Sequence, residues 1–269
     1  MKLFFRKYGT GYPLVILHGL YGSSDNWVSI ARALENSFSV WLLDARNHGR
    51  SPHNEHHNYP EMAQDVYEFF IEHKIEKAAV IGHSMGGKTA MYFADSYSPY
   101  ISHLLILDIA PKAYSDSTNN FRFQINHKKI LETIQSINLN AFNKREDIEN
   151  QLLKYLDDIT ITRFLMKNIK RNHSMKFEWL MNVEALLNNI TNISVGFMPS
   201  QNKNRDKIPV LFVRGEKSDY INQTDIEEIK RLYTNVSIKT IKGAGHWLHV
   251  DAPLELTGII KEFLTFSII

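Results

Sequence analysis

The octapeptide Gly82-His83-Ser84-Met85-Gly86-Gly87-Lys88-Thr89 satisfies two chemical patterns at once. As G-x-S-x-G it sets Ser84 on a sharp strand-to-helix turn that exposes a hydroxyl nucleophile. As G-x-x-x-x-G-K-[ST] it is a phosphate-binding loop, with Lys88 reaching the phosphates and Thr89 a magnesium ion. Both patterns need a strand before and a helix after, and both find them: Lys77 to Gly82 is a short apolar run, and Met85 to Tyr97 has helical periodicity. Leu104 to Asp108, an apolar run ending in an acid, would even serve the phosphate pattern as its magnesium-holding carboxylate.

The rest of the chain arbitrates. A phosphate loop usually follows the first strand of its domain, whereas three strand candidates lie before Ser84. The serine pattern makes three further demands. It needs backbone donors for a developing oxyanion, and His18-Gly19-Leu20-Tyr21-Gly22 supplies a loop after an early strand. There the Leu20 amide can converge with that of Met85, each such donor being worth about 3 kcal/mol. It needs a base, since a serine hydroxyl is a weak nucleophile until a neighbour takes its proton. His246, in Gly243-Ala244-Gly245-His246-Trp247-Leu248-His249, follows the last strand on a loop loosened by glycines. It also needs an acid between serine and histidine in chain order, and two fit: Asp108, and Asp219. The usual Gly-x-x-Asp spacing from Gly215 lands on Ser218, which puts Asp219 one place late.

These residues need a scaffold that brings loops together. Pro13 to His18 and Phe38 to Asp44 are buried-type strands. Asp25 to Leu34 between them is a helix capped by Ser24 or Asp25, and Tyr59 to His73 is amphipathic with Met62, Val66, Phe69 and Phe70 on one face. Ile101 to Asp108 follows the Ser84 helix. From about Ala113 to Asn204 the spacing is helical, with no convincing strand. Sheet grammar then resumes at Ile208 to Arg214, with a helix near Gln223 to Tyr233, a strand at Val236 to Ile241 and a last helix from Pro253 to Phe266. Such alternation predicts a parallel sheet covered by helices on both faces. The expected division is a core in two segments, 1–112 and 204–269, around a helical insertion at 113–203.

Composition sets the outer limits. At 269 residues one α/β domain with an insertion buries an ample core, and 31 Lys+Arg against 29 Asp+Glu is too balanced for a nucleic-acid or acidic-membrane surface. With no cysteine, disulfides, thiolate nucleophiles and Cys-ligated metals are excluded. The start of the chain is broken by charge after Leu3-Phe4-Phe5, and no run approaches the roughly 18 apolar residues of a membrane span, so a soluble cytoplasmic protein is expected.

Taken together, His18-Gly19-Leu20, Asp25-Asn26-Trp27, Asp44 to Ser51, Met62 to Asp65, Gly82 to Thr89, Asp108-Ile109-Ala110-Pro111 and Gly245-His246-Trp247 resemble the YbfF-type branch of small α/β-hydrolase esterases. The resemblance covers both core segments. It implies an α/β-hydrolase fold with an inserted helical cap, Asp108 as the catalytic acid, and activity toward acyl esters and acyl thioesters. The expected mechanism is an acyl-enzyme formed on Ser84 with His246 and Asp108, taking a small-molecule substrate and needing no cofactor or metal. Alternatives within the fold are carbon-carbon bond hydrolysis, peptide cleavage or a cofactor-free lyase reaction. Outside it stand a P-loop nucleotide-binding protein or a non-catalytic receptor.

Other residues read more plainly. Lys88 and Thr89 lie on the helix after Ser84 in the serine reading, and Asp44 and Arg46 to Ser51 brace the neighbouring loop. His48, His53, His56 and His57 read as solvated loop histidines, and His249 as packing support for His246. Trp27, Trp41, Trp179 and Trp247 read as core or pocket lining. Phe121, Phe123, Phe164, Phe177, Trp179 and Met181 either line an acyl pocket or dock the insertion.

Overall fold

In a computed structural model of the chain, describing residues 1–114, 121–201 and 203–265, seven strands form one sheet. Along the chain these are β1 (Phe5–Tyr8), β2 (Tyr12–Leu17), β3 (Phe38–Leu43), β4 (Ala78–His83), β5 (Ile101–Leu107), then, beyond the insertion, β8 (Val210–Gly215) and β9 (Val236–Ile241). Their order is β1-β3-β2-β4-β5-β8-β9, parallel throughout except that β1 runs antiparallel to β3. This is the expected mostly parallel sheet. The edge strand β1 was not expected, because Arg6 and Lys7 interrupt its apolar pattern.

The central strands are mostly apolar and buried at nearly every position because both sheet faces are covered. Leu14, Ile16, Ala79, Ile81, Leu105 and Leu107 face α1 (Val28–Leu34) and the last helix (Pro253–Thr265). The alternate residues Val15, Leu17, Val80, Leu104 and Ile106 face α2 (Tyr59–Glu72), α3 (Met85–Ser96) and α9 (Gln223–Leu232). Full burial of each large side chain contributes roughly 1.5–3 kcal/mol. The helix before β3 begins differently from expectation: a short 3-10 turn, Ser24–Trp27, precedes α1, and Ser23 rather than Ser24 or Asp25 caps it through a reciprocal box with Asn26.

Between β5 and β8 the chain inserts α4 (Phe121–Ser136), α5 (Arg145–Leu156), α6 (Ile159–Met166), α7 (Val183–Asn188) and α8 (Ile190–Ser194). The expectation of no strand here is corrected: β6 (Ile169–Arg171) and β7 (Phe177–Trp179) pair as an antiparallel ribbon. At three residues each, with Lys170, Arg171 and Glu178 on them, they carry too little apolar pattern to read. The insertion has its own core, which includes Leu131, Leu152, Leu165 and Leu186, and it is continuous with Tyr21, Tyr59, Met62 and Met85 beside the Ser84 turn. No helix among the described residues is long and apolar enough to cross a membrane.

Candidate active site

Ser84 sits between β4 and α3 with φ 53° and ψ −118°, a strained conformation for a residue with a Cβ, of the kind that costs about 1–3 kcal/mol. The turn is possible because its glycines allow close packing. A Cβ on Gly82 would lie 2.2 Å from the Gly86 carbonyl oxygen, and one on Gly86 would lie 2.3 Å from that of Leu17. The serine is anchored by its own amide, which donates to Leu107 O at 3.0 Å. Tyr21 and Asp108, which also border this site, have positive φ too, 62° and 49°.

The amides of Leu20 and Met85 have no acceptor among the described residues, Met85 being the first residue of α3. Their loops meet closely: a Cβ on Gly19 would lie 3.1 Å from Ser84 Cβ. Buried histidines hold the Leu20 loop. His18 donates from Nδ1 to Gly19 O at 2.8 Å and accepts from Ala45 N at 3.0 Å. His48 accepts from Tyr21 N at 3.2 Å and donates to Arg46 O at 3.0 Å.

Asp108, fully buried after β5, is held from both sides. Its Oδ1 accepts from Gly215 N at 3.0 Å, and its Oδ2 accepts from the Ser218 hydroxyl and from His246 Nδ1, the latter at 2.8 Å. With Nδ1–H committed to the carboxylate, Nε2 of His246 is left as an acceptor. His83 donates from Nε2 to the His246 carbonyl at 2.8 Å, and the Tyr220 ring stacks on the imidazole at 3.7 Å and 14°. Ser84 and His246 line the same cavity, though no hydrogen bond joins them in this resting geometry. Asp219 also lines that cavity, exposed and without a hydrogen bond to His246.

The cavity is about 910 Å³. Ile130, Ile161 and Phe164 of the insertion face Trp27, Tyr220 and Trp247 of the core, and the Phe164 and Trp247 rings lie 5.4 Å apart across the two parts. Of the remaining pocket or docking candidates, Phe177 and Met181 are buried inside the insertion, Trp179 is half-buried, and Trp41 packs on Phe5 and Phe69. The side chains of Phe121 and Phe123 lie outside the described residues, as does Phe266.

The loop histidines divide. His53 and His56 are exposed as expected, but His48 and His57 are fully buried, which corrects that reading. Burial, reinforced by His18, holds His48 well below its ordinary pKa, and burial, with Arg46 nearby, brings His57 down to about 3. Asp44 and Arg46 brace the loop: Asp44 accepts from Ser24 N at 2.6 Å and Arg50 N at 2.8 Å, and Arg46 pairs with Asp65 at 2.6 Å. Lys88 and Thr89 are buried and engaged by carbonyls, Lys88 with Lys112 and Val195 and Thr89 with Met85. Among the described residues no three His, Asp or Glu side chains gather as a metal site needs.

Sequence reasoning missed His83, His18 and Ser218. The first two stand beside the glycines of recognisable turns, and Ser218 occupies the vacated acid position; that adjacency was the available signal.

The profile of the alpha/beta hydrolase fold family matches residues 12–253. The chain is 36% identical over 258 residues to the sn-1-specific diacylglycerol lipase ABHD11 of Danio rerio, covering 95% of this chain and 79% of that one. It is 32% identical over 254 residues to esterase YbfF of Escherichia coli (strain K12), covering 94% and 92%. A solved structure of a marine microorganism esterase is 43% identical and superposes with a TM-score of 0.92 over 97% of this chain and 99% of that chain. The strained serine turn, the parallel sheet and these similarities agree: the chain belongs to the α/β-hydrolase family, in the branch that includes esterase YbfF.

Proposed function

We propose that this ester hydrolase of the α/β-hydrolase family cleaves small acyl esters through an acyl-enzyme on Ser84, with His246 as base and Asp108 as acid. The observation that carries the reading is the 2.8 Å bond from His246 Nδ1 to buried Asp108 in the cavity that Ser84 lines. His246 Nε2 takes the Ser84 proton as the hydroxyl attacks the acyl carbon, and Asp108 stabilises the imidazolium that forms. The free amides of Leu20 and Met85 receive the oxyanion, each lowering the barrier by about 3 kcal/mol. The imidazolium then protonates the departing alcohol or thiol, and water, activated by the same histidine, releases the acid.

In this reading residues 113–203 form a cap whose Ile130, Ile161 and Phe164 close the acyl side of the cavity over a core made of 1–112 and 204–269. An apolar wall facing a polar triad suits an acyl chain with its carbonyl at Ser84. The test is a p-nitrophenyl ester series from acetate to palmitate beside acyl-CoA thioesters, with Ser84→Ala as control and a fluorophosphonate probe. Turnover lost in Ser84→Ala together with stoichiometric labelling of the parent supports the proposal. Hydrolysis that survives Ser84→Ala would sink it.

A further inference from the structure

The insertion joins the core through two chain crossings, entering at residues 111–114 and leaving at 194–197. The crossings pair with each other: Tyr114 N donates to Ser194 O at 2.7 Å and Phe197 N to Pro111 O at 2.6 Å. They touch so closely that a Cβ on Gly196 would lie 2.9 Å from Ala113 N. Lys88, one turn beyond Ser84 on α3, reaches this junction fully buried and donates to Lys112 O at 2.8 Å and to Val195 O, one carbonyl from each crossing. Tyr92, a turn further along, donates to Gly196 O at 3.2 Å.

An apolar residue would satisfy packing here at far lower cost. Burying an ammonium group is expensive unless its donors are used, and Lys88 has no ion pair among the described residues. Its nitrogen instead lies 4.7 Å from the Tyr114 ring centroid and 5.7 Å from that of Tyr59. Burial and the nearby Lys112 bring its pKa down to about 7. Tyr114 continues the connection. Its hydroxyl accepts from Ala110 N at 2.9 Å, two residues past Asp108, and donates to Tyr220 O at 2.6 Å, and Tyr220 is the residue stacked on His246.

We propose that Lys88 is a positioning residue: it fastens both crossings of the insertion to the helix that starts at Ser84 and, through Tyr114 and Tyr220, holds His246 in its working orientation. The proposal rests on the Ser84–His246–Asp108 reading, since it concerns how that base is held. Lys88 itself touches no reacting atom. Its lysine identity, which first invited a phosphate-loop reading, is explained by the two carbonyls it must reach at once.

The experiment is a double-mutant cycle of Lys88→Met and Tyr114→Phe, read by kcat and KM on p-nitrophenyl butyrate and by thermal melting. Each single change is expected to lower kcat about tenfold with KM held within about twofold, and the pair to lose no more than about the worse single, because both break one connection. Wild-type kcat in Lys88→Met with only a lowered melting temperature overturns the proposal, and so do losses that multiply. If Lys88→Met does not fold, Lys88→Gln, whose amide is one bond too short to reach both carbonyls at once, takes its place in the cycle under the same criteria. Turnover unaffected by Ser84→Ala would instead show the underlying mechanism to be wrong, so the two failures are distinguishable.

Discussion

Ser218 stands where the usual spacing would put the acid, and its hydroxyl donates to Oδ2 of Asp108, the same oxygen that accepts from His246 Nδ1 at 2.8 Å. In the proposed triad the acid is Asp108 at the end of β5, and Ser218, in the position that the usual spacing gives to an acid, supports it. Asp108→Asn is therefore expected to lower kcat by about four orders of magnitude, since the amide favours the wrong imidazole tautomer. Asp219→Asn, at an exposed site without a bond to His246, should stay within a few-fold of the parent. Ser218→Ala removes one hydrogen bond to a charged oxygen, worth about 1.5–3 kcal/mol, and should lower kcat about tenfold or more. Steady-state kinetics on one ester reads all three, and the opposite ranking of the two aspartates would move the acid to Asp219.

The second relationship concerns His83, the variable residue inside G-x-S-x-G. Its Nε2–H holds the His246 carbonyl at 2.8 Å, and burial, reinforced by His246, keeps its pKa well below the ordinary value, so it serves as a neutral donor. His83→Leu keeps an apolar filler but strands that carbonyl, a loss of about 1–3 kcal/mol, and should cut kcat about tenfold with little change in KM. His83→Gln retains a donor and should recover most of the loss. Equal turnover in both variants would show that the carbonyl contact does not position the base.

What could be read in advance follows from where each constraint originates. Strands β2 to β5 and β8 were legible because burial on both faces makes them continuous apolar runs, a local property. The sharp turn at Ser84 and the loop that carries His246 were legible because the glycines around them are local too. Edge strand β1 was not, since its half-exposed face accepts Arg6 and Lys7. The burial of His48 and His57 was invisible for a different reason. Their loop reads as polar, with Pro52 and Asn54, yet it is covered by distant residues: Asn182 N donates to Asn47 O at 2.9 Å, and Asn189 Nδ2 to Glu55 O at 2.7 Å. The bond that favours Asp108 over Asp219 in the proposed triad is likewise a contact, 138 residues long in sequence, that no local pattern encodes.

The buried histidines also set how stability responds to acid. His249 stacks on Trp27 at 4.3 Å and 24°, and neither of its ring nitrogens has a hydrogen-bond partner. Burial, helped by His246 and Lys167, brings its pKa from an ordinary 6.5 down to about 3. Between those two values the unfolded chain binds a proton that the native state refuses. The contribution to stability is thus fully present above about pH 6.5 and is lost progressively as pH falls toward about 3. His249→Phe keeps the aromatic stack and removes that proton. The urea-unfolding free energy of the variant should match or exceed that of the parent at pH 7.5. Its fall between pH 6.5 and 5 should be shallower by up to ~1.4 kcal/mol per pH unit, one proton's worth. His57 and His127, each also brought to about 3 by burial, leave a residual slope in the variant. Parallel curves for the two proteins would mean that His249 does not stay neutral in the native state.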